Sequence, residues 1–367
     1  VKSWDAIIIG GGIIGLSLSI ELRKRGASVL VVERGEPGRE ASYAAGGMLA
    51  NCGDETPERL QPLATASADM YPEFVHELQD ESGMKVDLRD HGTLLFPPTG
   101  HGLEKIKGAH PLPAPLTELE PALVAGNRPV VFLKERSVCP RALVAAALQA
   151  AKHRGVDVSS GTPVLSIKLS GSHAAGVTTS KTSYRAAKVV NCAGAWAGEI
   201  PPYDFTTRPV KGQMVCFAMP SRDMLRHVIR SPEIYLIPRS DGRLLAGATV
   251  EEAGFDKRTV PDTIQQLSRA ALVMLPALKD ARLLEAWAGL RPGTPDNLPI
   301  LGTTPTPGYY IATGHFRDGI LLAPITARVM ADVMAGKKPD YDLAAFAVER
   351  FGLQPSKPSR FQSIKVS

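Results

Sequence analysis

Apolar positions along this chain follow two periods, and the places where one gives way to the other mark its elements. Residues 5–9 are a short β-branched strand. Residues 13–24 carry apolar side chains at helical spacing, with Arg23 and Lys24 in the last turn and Gly26 placed to stop a helix. Val29 to Val32 form a second strand. Helical patterns recur over 58–79, from about Arg141 to a stop at Gly155, over 262–275, and over 325–335 before Gly336. Residues 86–96 predict strand, turn, strand, and further strands are predicted at 156–160, 163–169, 174–180 and 188–192. From about Arg208 to Leu284 the pattern changes to alternating strands, "RPVKGQMVCFAM", "IYLIPRS" and "RLLAGATV", before "YYIATG" at 309–314 returns to a buried one.

The first strand and helix are joined by Gly10, Gly12 and Gly15 at G-x-G-x-x-G spacing. Glycines there let the backbone turn tightly and approach a pyrophosphate. The anion then sits on the helix N-terminus, beside Ile13 and Ile14, where free N–H groups and the helix dipole favour negative charge. Glu33 lies about 20 residues further on, at the end of the second strand and before Arg34, where an acid accepts hydrogen bonds from an adenosine ribose. An acid at that place repels a 2′-phosphate, so NADP is not expected. NAD and FAD share the adenosine half, and the motif does not separate them.

Strand–helix pieces of this kind stand at the beginning, middle and end of the chain, with β-rich segments between. The predicted fold is α/β (α+β overall): an FAD- or NAD-type Rossmann-like βαβ domain with a discontinuous, mainly antiparallel-sheet substrate domain. The expected division is 1–80, 136–208 and 286–350 for the dinucleotide-binding domain, 81–135 and 209–285 for the substrate-binding domain, and a C-terminal tail at 351–367.

Composition narrows the function classes. The 367 residues are 44% hydrophobic and 22% charged, with 42 basic residues against 37 acidic ones and no block of like charge. Nucleic-acid binding is not expected. Cys52, Cys139, Cys192 and Cys216 are scattered, which predicts a reducing, cytoplasmic compartment without disulfides. The histidines do not pair at metal-ligand spacing, so no metal is expected. The longest apolar stretch, 6–20, is broken by glycines and too short to cross a bilayer. No leader pattern is read, and removal of residues before Val1 stays open.

Four separated segments carry a resemblance: "REASYAAGGML" at 39–49, "KVVNCAGAWA" at 188–197, "WAGLRPGTPDNLPILG" at 287–302 and "GHFRDGILLAP" at 314–324. Together they resemble the flavin-dependent D-amino-acid oxidase family, and within it the bacterial glycine oxidase branch associated with thiamine biosynthesis. The resemblance runs nearly end to end, and it implies that the dinucleotide is FAD. It implies close backbone approach to the cofactor at Ala41, Ser42, Gly46, Gly47 and Met48, and adenine contact at Val164. It also implies a loop against the flavin ring made by Gly314, His315, Phe316, Arg317, Asp318, Gly319, Ile320 and Leu321. A helix N-terminus beyond that loop would stabilise negative charge on the reduced ring.

The family's chemistry is hydride transfer from an amino acid's α-carbon to the flavin. That needs a carboxylate anchor, an oriented C–H bond and a neutral amine. Arg291 is the best anchor, because a guanidinium fork matches a carboxylate and stays charged. Tyr235 is similar to the family's second carboxylate partner, against the alternative of a strand tyrosine packed in the core. Arg317 matches a residue near the substrate amine, its backbone carbonyl mattering more than its guanidinium. No general base is required if the amine binds unprotonated, and His315 is expected to be structural. Glu233 replaces a neutral or histidine side chain and Val250 a bulkier thioether, so the preference among small amino acids stays open. Related enzymes that hold flavin covalently use a cysteine near the "TPD" segment. None stands there, so non-covalent FAD is expected.

The implied reaction oxidises glycine, sarcosine or small D-amino acids to imine and then oxo acid, with O2 reduced to peroxide. A dehydrogenase passing electrons to a quinone or carrier is the alternative, and a catalytically silent flavin-binding protein a third reading. A homo-oligomer, dimer or tetramer, is expected.

Overall fold

The computed structural model describes residues 2–53 and 56–355. Its opening unit is the strand Ser3–Ile9, the helix Ile13–Lys24 and the strand Val29–Val32. The two strands pair in parallel, Ile8 opposite Val31, and Ile8 also stands opposite Val190 of Ser183–Asn191. With Asp157–Ser159 on one side and Tyr309–Thr313 on the other they make a run of five parallel strands. All four residues of Val29–Val32 are buried, as a parallel strand covered on both faces requires. One face is covered by the helices Ile13–Lys24, Gln61–Ser82, Pro140–His153 and Ala323–Met334. The other meets the antiparallel strands Val164–Ser170 and His173–Thr179 and a cluster around Phe205 and Tyr309.

Helix ends follow local chemistry with small displacements from the sequence pattern. The helix expected from Ile325 begins at Ala323, because Pro324 fits the first turn, where its missing N–H leaves no bond unmade. Pro140 opens its helix in the same way. The helix expected over 58–79 is a 3-10 turn, Glu58–Leu60, followed by Gln61–Ser82, and it stops at Gly83 in the left-handed conformation. Inside that helix Ser67 Oγ donates to the carbonyl of Leu321 at 2.6 Å, and the Tyr71 hydroxyl donates to that of Ile320. The helix thereby holds the loop at 314–322 from behind.

A second eight-stranded sheet runs in the order Arg282–Gly293, Arg208–Ala218, Arg243–Gly247, Tyr235–Pro238, Val228–Arg230, Thr93–Leu95, Val131–Leu133 and Ala109–His110. All its pairings are antiparallel except that of Val228–Arg230 with Thr93–Leu95. The helix Pro261–Met274 packs on one face through Leu267, Ala271 and Met274. The strand–turn–strand pattern at 86–96 is present, but its strands belong to different sheets. Leu88–Arg89 pairs with Arg136–Val138, whereas Thr93–Leu95 joins the large sheet, and Gly92 at φ +91° turns the chain between them.

Of the expected tail, residues 356–367 lie outside the described residues. Gln354–Pro355 pairs with Tyr203–Asp204. Among the described residues no helix is long and apolar enough to cross a membrane.

Candidate active site

A cavity of about 800 Å³ extends from the glycine-rich turn to the face of the large antiparallel sheet. At the turn, Gly10 has φ +106°, and a Cβ there would stand 2.5 Å from the carbonyl oxygen of Cys192. Gly12 caps the helix without a side chain, and the Ile13 N–H donates to Ser42 Oγ at 3.0 Å. Ile13 and Ile14 line the wall beside them. Gly15 faces away from the cavity. Its Cβ would collide with the Gly10 carbonyl, so its bareness lets the helix cross the strand end.

Glu33 is buried in the wall and accepts the N–H groups of Gly11 at 2.8 Å and Gly35 at 2.9 Å. Its carboxylate therefore braces the glycine turn as well as facing the cavity. Arg34 lies over the Trp196 ring, 3.6 Å from its centroid, and pairs with Glu40 at 2.5 Å. Val164 completes this end.

The middle of the cavity is walled by Ala41, Ser42, Gly46, Gly47 and Met48 on one side. Arg239, almost wholly buried, donates to the carbonyl of Gly46, and Gly47 has φ +80° with no room for a Cβ beside the Val138 carbonyl. On the other side His315, Phe316, Arg317, Asp318, Gly319 and Ile320 line the wall. Gly314 and Leu321 do not. A Cβ on Gly314 would meet Thr294, and Leu321 belongs to the helical core. Phe316 has φ +47° and its N–H donates to the Pro292 carbonyl at 3.0 Å, which ties this loop to the strand bearing Arg291. Burial pushes the His315 imidazole down to about 3, and its Nε2 lies 3.1 Å from Thr326 Oγ1. His315 is therefore neutral at physiological pH.

At the far end stand Arg291 and Tyr235, with Met214, Gly212 and Gly247 around them. Arg291 Nη1 donates to the carbonyls of Thr249 at 3.0 Å and Lys211 at 3.3 Å. Among the described residues no carboxylate pairs with it. Burial lowers its proton affinity, and the Arg317 charge adds to that, while the Tyr235 side chain acts the other way. A guanidinium held in a wall by two carbonyls and the Tyr235 side chain, with no carboxylate paired to it among the described residues, keeps its positive charge, and an anionic ligand would balance it. Tyr235 is half-buried and faces the cavity, its hydroxyl 3.7 Å from Met214 Sδ. Arg317, Glu233 and Val250 are all exposed and border the cavity.

These residues fit FAD: a helix start whose cap is a bare glycine, glycines whose Cβ atoms would fill the wall, and one continuous cavity leading to a cationic clamp. Sequence reading missed Trp196, Met214, Gly212 and Gly247. Trp196 and Met214 give no signal of their own. Glycines inside strand patterns, as in "VKGQM", are a signal, because they mark close approach by another group.

Comparison with known proteins agrees with this geometry. The family model for FAD dependent oxidoreductases matches residues 5–333. A glycine oxidase of Pseudomonas aeruginosa is 34% identical over 361 residues, covering 93% of this chain and 97% of that protein. The bifunctional protein ThiO/ThiG of Trichormus variabilis is 36% identical over 374 residues, 97% of this chain. The chain spans only 56% of that longer protein. The crystal structure of glycine oxidase from Geobacillus kaustophilus superposes with a TM-score of 0.88 at 30% identity, covering 95% of this chain and 99% of that one.

Proposed function

The chain belongs to the FAD-dependent oxidoreductase family, and we propose that it oxidises glycine and other small amino acids, such as sarcosine or small D-amino acids. The product is the imine, then the oxo acid, with O2 reduced to H2O2, in the service of thiamine (thiazole) biosynthesis. The observation that carries this reading is the Arg291 guanidinium, held by the Lys211 and Thr249 carbonyls beside Tyr235, with no carboxylate partner among the described residues. The relatives named glycine oxidase, which the chain matches over nearly their whole length, support it.

Bound FAD supplies the acceptor for the hydride that leaves the substrate α-carbon. Arg291 and Tyr235 bind the carboxylate and so orient the α C–H bond. The Arg317 carbonyl faces the amine. His315, being neutral, carries no acidic imidazolium proton, and its part is to hold the loop through Thr326. An amine that arrives unprotonated needs no base from the chain.

The same reading includes the two-domain division given by the sequence, Glu33 on the adenosine ribose, non-covalent FAD, a cytoplasmic location and a homo-oligomer. The holoenzyme mixed anaerobically with a panel of amino acids tests the function: glycine or another small amino acid should bleach the flavin, and no bleaching by any of them overturns it. In air, one peroxide per amino acid consumed is expected, whereas turnover only with an artificial acceptor would make it a dehydrogenase. Denaturation should release free FAD.

A further inference from the structure

In the antiparallel pairing of Arg208–Ala218 with Arg282–Gly293, Gly212 stands directly opposite Gly289. Neither glycine has a left-handed φ, so the backbone at both places suits any residue. Strand interiors disfavour glycine, because it packs nothing and gives up more chain entropy. The bareness of this pair therefore has a spatial cause. At Gly289 that cause is Ala44, whose Cβ fills the space. At Gly212 it is Arg291. A Cβ on Gly212 would lie 2.5 Å from Arg291 Cζ and nearer still to both Nη atoms, and these are its three nearest neighbours.

Arg291 is paired with Val210, so Gly212 is its diagonal neighbour on the same face. The side chain leans across the ladder and lies on the bare backbone of Gly212. There Nη1 reaches the carbonyls of Lys211, next in the chain, and of Thr249. We propose that Gly212 is a positioning residue for substrate binding: its missing side chain is the seat of the Arg291 guanidinium. The seat spends Nη1 on the protein and leaves the rest of the fork for Tyr235 and the substrate carboxylate. This rests on the reading of Arg291 as the carboxylate clamp.

Gly212→Ala puts a methyl group into the end of a flexible side chain rather than into backbone, so the fold should survive while the guanidinium moves. A double-mutant cycle of holoenzymes tests this with Gly212→Ala, Arg291→Ala and the pair. Its readouts are kcat and KM for glycine, flavin content, and the Kd of glycolate read from the flavin spectrum. Gly212→Ala should keep its flavin and lose about 10- to 100-fold in kcat/KM, mainly through KM, with a matching rise in the glycolate Kd. In the Arg291→Ala background the same substitution should change each value by less than about twofold. An equal loss in both backgrounds, or near-normal kinetics for Gly212→Ala, overturns the proposal. If Gly212→Ala alone loses flavin, retention in the double variant supports the seat, and loss in both overturns it. Arg291→Ala by itself reports separately on the clamp, since unchanged kinetics there would remove that reading.

Discussion

The glycine-turn end of the cavity is shaped chiefly by the backbone of one βα unit, and its far end by residues on strands distant in sequence. At the first, Gly10, Gly12 and Gly15 lie within one strand–helix turn, and Glu33 ties back to Gly11 across a single βα unit. At the second, Gly212, Met214, Tyr235, Gly247 and Arg291 meet only because sheet register places them together. The two ends should therefore fail differently. Crowding the backbone wall should destroy cofactor binding. Trimming the side-chain wall should leave a flavoprotein that handles substrate poorly.

The largest effect tests the first half of that contrast. Gly15→Val would drive a branched side chain into the Gly10 carbonyl, a backbone atom that cannot swing aside. Overpacking of this kind costs about 1–3 kcal/mol, and occasionally more, and the protein should purify with little flavin and a lowered melting temperature. A fully yellow Gly15→Val protein would break the comparison.

Next comes the clamp. Arg291→Ala should retain FAD and lose about 30- to 1000-fold in catalytic efficiency, the scale of 2–4 kcal/mol expected for a charge-assisted bidentate contact. Arg291→Lys should recover part of this, because an ammonium lacks the planar fork. Flavin loss in Arg291→Ala would show that the two ends are not separate.

Tyr235→Phe is smaller and sharper. A hydrogen bond to a carboxylate that is equally charged before and during the reaction contributes uniform binding. KM should rise about 5- to 50-fold, with kcat within about threefold. A large fall in kcat at constant KM would instead place the hydroxyl at the reacting centre, and no change in either would return the ring to a packing role.

The smallest effect at neutral pH, one that emerges only in acid, concerns His315 in the wall between the two ends. Burial holds its folded pKa at about 3, below the ordinary value of 6.5. The unfolded chain therefore takes up a proton that the folded one refuses. The resulting stability is fully present above pH 6.5 and is lost as the pH falls toward 3, at about 1.4 kcal/mol per unit. His315→Gln should show no change in pH dependence near pH 7 and should flatten the loss of stability between pH 6.5 and 4, measured by denaturant midpoints. An identical acid slope in both proteins would mean that the imidazole is not held neutral.

Much of the glycine-turn end was legible in the sequence, down to the helix bounds 13–24 and the stop at Gly26. Glu33 was placed there as a ribose acceptor, but its hold on Gly11 and Gly35 is a contact across the turn that no pattern marks. At the other end Arg291 and Tyr235 entered through resemblance, and Gly212, Gly247 and Met214 were not singled out. Residues 86–96 show why. The apolar pattern there marks two strands, yet it says nothing about which partners they take, and the structure sends them to different sheets.

By itself the sequence determined the turns, helix ends and strand interiors, because these follow from interactions within a few residues: a missing Cβ, a proline in the first turn, a run of β-branched side chains. Only the tertiary structure decided that Gly212 faces Gly289, that Arg291 lies across the pair, and that Phe316 binds the Pro292 carbonyl. Strand register is set by the burial of whole faces rather than by any one residue, so the partners that make this site are properties of the assembled sheet.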